Sequence, residues 1–492
     1  MERRSNLIKQ LDWTTILLYL VMVVCGWFTI YAACYDFEHP SLLDFSMRHG
    51  MQLVWIFCAL ALAVVILLID SKFYNNIAYI FYGAMILLLI VTIFISPDIK
   101  GSHSWIKIGS FSIQPAEFAK YATALCLARF MSRFEFDMQK TRDILSIAAM
   151  ILLPMAIIVA QSETGSALVF VSFLLMLYRE GLNGLVLVLG FVAVVFFVVV
   201  LRFNNLPVEA GMNPPIEDYG YLLVFIGVAL FAAFMLLRYT RDRICIRTLV
   251  LTNVGIYAVA ALVRVFKPEW LRFTDAGFVC MGVSTLLLFV WSLVKRRKSY
   301  ALIGLLFVAT VGLAFSVDYA FDKVLEPHQQ IRIKIVLGLE DDPQGAGYNV
   351  RQSQIAIGSG GFLGKGFLNG TQTKLNYVPE QDTDFIFCTI GEERGFIGTF
   401  FVIALYVTLI IRLVIMAERQ RSSFSRIYGY SVASIFFFHF VINIGMVIGI
   451  VPVIGIPLPF FSYGGSSMWG FTLLLFTFLR LDANRMEILQ QQ

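Results

Sequence analysis

The sequence predicts an all-α fold, a polytopic helical integral membrane protein, and three observations carry that expectation. Of its 492 residues 59% are hydrophobic and only 14% charged, with a mean hydropathy of +0.78. A soluble core cannot hide so much apolar surface, whereas a bilayer accepts it. Apolar runs of roughly spanning length recur along the whole chain, and basic residues gather in alternate loops between them. The net charge of +5 therefore reports topology and gives no reason to expect a nucleic-acid partner.

Taken in order, fourteen apolar runs stand near 14–33, 52–69, 76–96, 115–132, 144–161, 165–178, 183–201, 220–237, 247–265, 276–294, 301–318, 384–413, 427–450 and 463–480. The run at 165–178 is short and reads as tilted or fused to its neighbour. The N-terminal MERRSNLIKQLDW leads into the first run without a small-residue cleavage site, so it reads as a retained span. With that end inside, the loops carrying Arg129, Arg133, Lys140 and Arg142, then Arg238, Arg241, Arg243 and Arg247, then Lys295 to Lys298, are inside too. Arg412, Arg419, Arg421 and Arg426 follow suit, as does the tail with Arg480 and Arg485. Both termini are expected in the cytoplasm, and the long segment at 319–383 outside. No internal repeat stands out.

Two short outer loops and one long one are the expected places for chemistry. The first runs from Lys100 to Gln114, KGSHSWIKIGSFSIQ, and the second from Val451 to Ser467, VPVIGIPLPFFSYGGSS. Prolines fix extended backbone in the second, and the Gly464–Gly465 pair permits tight bends. Irregular backbone of this kind at membrane depth is tolerated only where it lines a cavity or is buried in protein. The long segment from Glu340 to Gly398 is polar and glycine-rich and ends in paired acids, Asp382 and Asp384, before apolar sequence resumes. None of the seven cysteines forms a CxxC pair or a metal-ligand spacing, so they read as small hydrophobes.

Each candidate residue has a structural reading beside a functional one. Glu117 and Lys120 share a helix face in PAEFAK, either as a packing ion pair or with Lys120 holding an anionic ligand that Glu117 orients. Glu163 reads as a solvated helix end, and Trp105 as an interfacial anchor. His439 and Asn443, one turn apart, read as interhelical hydrogen-bond partners. The run Gly358–Gly370, GSGGFLGKGFLNG, fails as a nucleotide phosphate loop, because no glycine stands five residues before Gly364-Lys365 and Gly366 replaces the required Ser or Thr. It reads as flexible backbone whose amides, with Lys365, are able to meet a diphosphate. Thr383 or Asp384 reads as a helix N-cap, or Asp384 as a partly desolvated carboxylate suited to general-base work.

Together, GSHSWIKIGSFSIQPAEFAK, QSETGSALV, DPQGAGYNVRQSQIAIGSGGFLGKGFLNGTQ, YVPEQDTDFIF, GEERGFIG and NIGMVIGIVPVIGIPLPFFSYGGSS resemble, in order, the signature stretches of the SEDS family (shape, elongation, division and sporulation). The glycine-run form resembles the RodA branch more than the division branch, FtsW. Two stretches depart from the family pattern: Gln114-Pro115-Ala116-Glu117 replaces Gln-Pro-Ser-Glu, and Gln161-Ser162-Glu163-Thr164-Gly165 replaces Gln-Pro-Asp-Leu-Gly. The family usually has ten spans. The resemblance therefore implies a SEDS-like N-terminal part at 1–201, about four inserted spans within 202–318, a large outer loop at 319–383 and a SEDS-like C-terminal part at 384–492.

The resemblance implies a peptidoglycan glycosyltransferase of the bacterial cytoplasmic (inner) membrane, polymerising lipid II during cell elongation. It makes Asp384 the expected base and carries Trp105, Glu117, Lys120 and Arg332 over as positions that matter. Lys120 or Arg332, or a divalent cation such as Mg or Mn, would hold the diphosphate; no other cofactor is expected, and no metal ligands are legible. Lys365, Ser462, Gly464 and Gly465 join the substrate-binding set through their motifs. The expected partners are lipid II, a class B penicillin-binding transpeptidase, other elongation-complex membrane proteins and the lipid membrane. Two competing functions are a lipid II flippase, which needs a continuous polar path across the membrane, and a non-catalytic scaffold for the transpeptidase, which leaves Asp384 unexplained.

Overall fold

Each apolar run marked above falls on a helix. The structure is a computed structural model, described here for residues 7–35, 41, 44–98, 101–109, 111–204, 219–266, 273–319, 321, 323, 325, 327–340, 345 and 347–485. In chain order the helices are α1 Leu7–Gln10, α2 Trp13–Ala33, α3 Arg48–Leu68, α4 Ser71–Ile95, α5 Pro115–Met131, α6 Thr141–Ala160, α7 Thr164–Leu168 and α8 Phe173–Arg179. They continue with α9 Gly184–Asn204, α10 Tyr219–Tyr239, α11 Arg243–Phe266, α12 Phe273–Lys295, α13 Lys298–Tyr319 and α14 Pro327–Val336. The last are α15 Tyr348–Gly360, α16 Ile386–Glu418, α17 Ser423–Val447 and α18 Gly465–Ala483. A short antiparallel hairpin, β1 Ile106–Ile108 and β2 Phe111–Ile113, precedes α5. Among the described residues ten helices are long and apolar enough to cross a membrane, which makes this a multi-pass membrane protein. The runs near 115–132, 165–178, 301–318 and 463–480 lie on helices outside those ten.

The chain divides into two compact units, Met1–Asn183 with Tyr348–Gln492, and Gly184–Gly347. In the first, α5 is the central post. All its residues but Phe118 and Arg129 are buried, against α4, α17 and α18. Ala116, Ala119, Ala122, Ala124 and Ala128 give it a slim profile that lets neighbouring backbones approach. Buried hydroxyls bridge the unit, from Tyr19 to Thr472 at 3.3 Å and from Tyr121 to Thr477 at 3.2 Å. The run at 165–178 is a broken helix: α7 passes through a 3-10 turn, Val169–Ser172, into α8.

The second unit packs α9 to α13 around Phe225, Leu236, Cys280, Leu288 and Phe307. Asp242 ties three of its helices together. It accepts from the Ile244 and Cys245 amides at the start of α11 (3.1 and 3.2 Å), from Trp291 Nε1 of α12 (3.1 Å) and from the Tyr300 hydroxyl of α13 (3.0 Å).

The long polar segment is more regular than its composition suggests. It contains α15, which buries Val350, Ser353, Ala356 and Gly360, a spacing that puts one small-sided face against α16. The glycine run is not loose backbone either. The Lys365 and Gly366 amides donate to the carbonyls of Glu392 and Glu393 (both 3.0 Å), and the Phe396 and Ile397 amides donate back to Gly361 and Phe362 (2.9 and 3.3 Å). Glycine permits this approach: a Cβ on Gly364 would sit 2.3 Å from the Glu393 carbonyl oxygen, and one on Gly395 would sit 2.3 Å from the Gly364 nitrogen. Gly395 itself has φ +61° and kinks α16 there.

Candidate active site

Asp384 stands two residues before α16, on a backbone held from one side. Three successive carbonyls are each bonded to the α17–α18 region: Tyr463 N–H donates to Asp382 O (2.8 Å), Ser462 Oγ to Thr383 O (2.6 Å) and Asn443 Nδ2 to Asp384 O (2.8 Å). The N-cap position of α16 falls on Phe385, with no side-chain cap bond, so neither Thr383 nor Asp384 occupies it. The Asp384 side chain is half-buried, and a Cβ on Gly455 would lie 3.4 Å from its Oδ2. A glycine there, at φ +73°, lets the loop lie against the carboxylate.

The irregular segment supplying these contacts, 451–464, is largely buried. Its carbonyls are satisfied by helix side chains: Asn443 Nδ2 donates to Ile456 O (2.7 Å), His439 Nδ1 to Pro457 O (3.0 Å) and the Tyr406 hydroxyl to Pro459 O. Ser462 Oγ also accepts from the Leu458 amide at 2.8 Å, so this serine holds the loop together as well as the Asp384 segment. Gly464 N–H donates to Gln52 Oε1 at 3.2 Å, and a Cβ on Gly465 would meet the Trp55 indole at 2.8 Å. Both glycines are therefore sites of close approach at the start of α18.

The other outer loops join the same cluster. A Cβ on Gly165 would come 2.2 Å from the Ile454 carbonyl oxygen. Glu163 is not a solvated helix end, since it accepts from Ser102 Oγ and Ser104 Oγ at 2.8 and 2.9 Å. Trp105 follows directly, half-buried, its amide donating to Ser96 Oγ (3.1 Å) and its carbonyl accepting from the same hydroxyl (2.9 Å).

The two acids at the end of the long segment part company. Asp382 is buried and pairs with Arg48 at 2.6 Å, at a polar cavity of about 560 Å³. Arg48, Lys374, Tyr35 and Glu380 also line that cavity. The Arg48 side chain is 56% exposed and is the accessible cation, whereas Lys374 is buried, 3.4 Å from Glu393 and bonded to the Ala32 carbonyl. Burial pulls the Lys374 ammonium below the usual lysine range, against the opposing pull of Glu393.

Lys120 lies elsewhere, enclosed between α5, α17 and α18. It donates to both Glu117 oxygens at 2.9 Å and to His439 Nε2 at 2.9 Å. Because His439 Nδ1 faces the Pro457 carbonyl, the ring is a neutral imidazole whose Nε2 accepts from the ammonium. Glu117 and Lys120 are 2% and 1% exposed, so the structure encloses the pair and each is the other's charge partner. Lys365 is likewise engaged, with Glu392 Oε1 at 2.7 Å and Thr371 Oγ1 at 2.6 Å. Arg332 sits on α14 in the second unit.

The model of the family of cell cycle proteins comprising FtsW, RodA and SpoVE matches residues 10–210 and 223–486. The chain belongs to this family. The peptidoglycan glycosyltransferase RodA of Treponema pallidum is 30% identical over 482 residues, 98% of this chain and 99% of that protein. The peptidoglycan glycosyltransferase MrdB of Escherichia coli K12 is 42% identical over 222 residues, 44% of this chain and 57% of that protein. Among solved structures, a chain from a peptidoglycan synthase complex aligns over 96% of this chain and 98% of its own with a TM-score of 0.56 at 23% identity. The Thermus thermophilus rod shape determining protein RodA aligns over 96% and 97% with 0.51 at 20%. These support the fold.

For this FtsW/RodA/SpoVE member, the described residues contain no group of three or more His, Cys, Asp or Glu side chains able to hold a metal ion. Sequence reasoning missed Arg48 and Lys374. Arg48 opens a span directly after a loop, a readable signal for an interfacial cation; Lys374 in TQTKLNY has no local signal, because its burial depends on α2 and α16.

Proposed function

We propose that this enzyme, a peptidoglycan glycosyltransferase, polymerises lipid II at the outer face of the bacterial cytoplasmic membrane, with Asp384 as general base and both termini inside. The reaction is one inverting displacement. The acceptor sugar's 4-hydroxyl oxygen attacks the anomeric carbon of the donor, and the bond from that carbon to the diphosphate oxygen breaks with its electron pair. Asp384 takes the hydroxyl proton, and the α-linked donor becomes a β-linked polymer. Cationic groups near the leaving diphosphate favour the charge that develops there, and Arg48 at the mouth of the polar cavity is the side chain best suited to that task.

The observation that carries this reading is the contrast between the two acids. Asp382 is buried against Arg48, whereas Asp384 is half-buried on a backbone held through three successive carbonyls. A class B penicillin-binding transpeptidase is the partner this reading implies. The test gives lipid II to purified protein, with and without that partner, and runs the glycan products on a gel. Wild type is expected to make polymer and Asp384→Ala to lose about 100-fold or more, the scale of a lost general base. Polymer from Asp384→Ala at the wild-type rate would remove Asp384 from the mechanism.

A further inference from the structure

The glycine run and Lys365 failed as a nucleotide loop, yet they surround an anion. Glu392, fully enclosed on α16, accepts from three consecutive backbone amides, Thr371 (2.8 Å), Gln372 (2.9 Å) and Thr373 (2.9 Å). It also accepts from the hydroxyls of Thr371 and Thr373 at 3.1 and 2.8 Å and from Lys365 Nζ at 2.7 Å. Successive amides converging on one point form a nest for a negative charge, and here the chain supplies the charge itself. Gly370 makes room, since a Cβ there would lie 2.8 Å from Glu392 Oε2.

From this clamp a line of hydrogen bonds leads towards the site. Glu392 fixes Thr373, whose carbonyl accepts from Gln381 Nε2 at 2.8 Å. The same NH₂ group, with two hydrogens to share, also lies 2.8 Å from Ala33 O on α2 and 2.9 Å from Asn376 Oδ1. Gln381 stands three residues before Asp384 and next to Asp382, which holds Arg48. We infer that Glu392 is a positioning residue for the transfer, its nested carboxylate setting the 371–384 segment so that Asp384 and the Arg48–Asp382 pair face the substrate together. The inference rests on the reading of Asp384 as the base.

Glutamine at this position keeps the size but turns an NH₂ donor towards donors only, so the nest cannot close on it. The test measures lipid II polymerisation by full-length protein with its transpeptidase partner, for Glu392→Gln, Glu392→Asp, Thr373→Val, Asp384→Ala and the double variant Glu392→Gln/Asp384→Ala. Glu392→Gln is expected to lower kcat at least 10-fold with KM for lipid II within about 3-fold, and Thr373→Val to lower kcat by a smaller factor. Glu392→Asp, which keeps the charge, is expected to recover part of the rate. The double variant is expected to fall no further than Asp384→Ala alone, the non-additivity of residues acting as one unit. Wild-type kcat in Glu392→Gln, or a double variant that loses the full product of both factors, would overturn the inference. If Glu392→Gln does not fold, Thr373→Val alone decides it: an unchanged kcat overturns the proposal. A wild-type rate in Asp384→Ala would instead sink the base reading, a distinct result.

Discussion

Asp12 shows how one carboxylate at a helix start ties distant helices together. Its side chain caps α2 through the Thr15 amide at 3.0 Å and accepts from Arg412 at 2.5 Å and Arg419 at 3.2 Å, both at the far end of α16. Burial alone pushes its pKa up, but the Arg412 guanidinium and the Thr15 N–H outweigh that and hold it at about 2. A carboxylate pKa lowered on folding contributes stability that is complete above its unfolded value, about 4, and is lost as pH falls towards 2. The contribution is on the order of 2 kcal/mol. Thermal unfolding in detergent is therefore expected to show Asp12→Asn less stable than wild type at pH 6, with the gap closing between about pH 4 and pH 2. A gap independent of pH would mean that the ionised carboxylate is not what links α2 to α16. The same residue scale separates the acids near the active site, where Asp382 has a fixed arginine and Asp384 a held backbone.

At the scale of elements, the Glu117–Lys120–His439 cluster joins α5 to α17 at the centre of the first unit. Removing one partner of a buried pair leaves the other charge uncompensated, at a cost of about 3–5 kcal/mol, whereas removing both together is far cheaper. Lys120→Met is expected to lower the unfolding midpoint sharply, and Glu117→Gln/Lys120→Met to restore much of it. A fully stable Lys120→Met that fails to polymerise would instead return Lys120 to direct contact with substrate. The elements themselves were legible in the sequence, because continuous apolar runs of membrane length leave little choice but helix. Asp384 was legible as a functional candidate, through its motif and the change from polar loop to apolar helix. What could not be read was the use of each polar side chain. Lys120 reads in the sequence as half of a packing ion pair or as the holder of an anionic ligand, and Lys365 as a cation beside glycine amides able to meet a diphosphate. Their engagement depends on His439 and Glu392, which lie 319 and 27 residues away in sequence. The glycine run misled for the same reason. Flexible by composition, it is held by the backbone of α16, whose kink at Gly395 no local pattern announced.

At the scale of the whole molecule, the catalytic reading depends on which side of the membrane Asp384 faces, and contacts within the first unit turn that into one measurement. Lys107 lies on the hairpin that directly follows Ser102 and Ser104, which hold Glu163, and Gly165 packs on Ile454 beside Gly455 and Asp384. Lys107 and Asp384 therefore belong to the same end of the helices. Lys140 precedes α6, whose 20 residues run from Thr141 to Ala160. At a rise of about 1.5 Å per residue that helix is about 30 Å long, the thickness of the hydrocarbon core, so Lys140 lies at the opposite end. Cysteine placed at 107 or 140, with the seven native cysteines replaced and polymerisation retained, is probed in intact cells with a membrane-impermeant maleimide. Both side chains are exposed, so access to the reagent reports the side of the membrane. Lys107→Cys is expected to label from outside and Lys140→Cys only after the cells are opened, the orientation in which basic loops stay in the cytoplasm. Labelling of Lys140→Cys in intact cells would reverse the protein, turn Asp384 towards the cytoplasm and remove the case for polymerisation at the outer face.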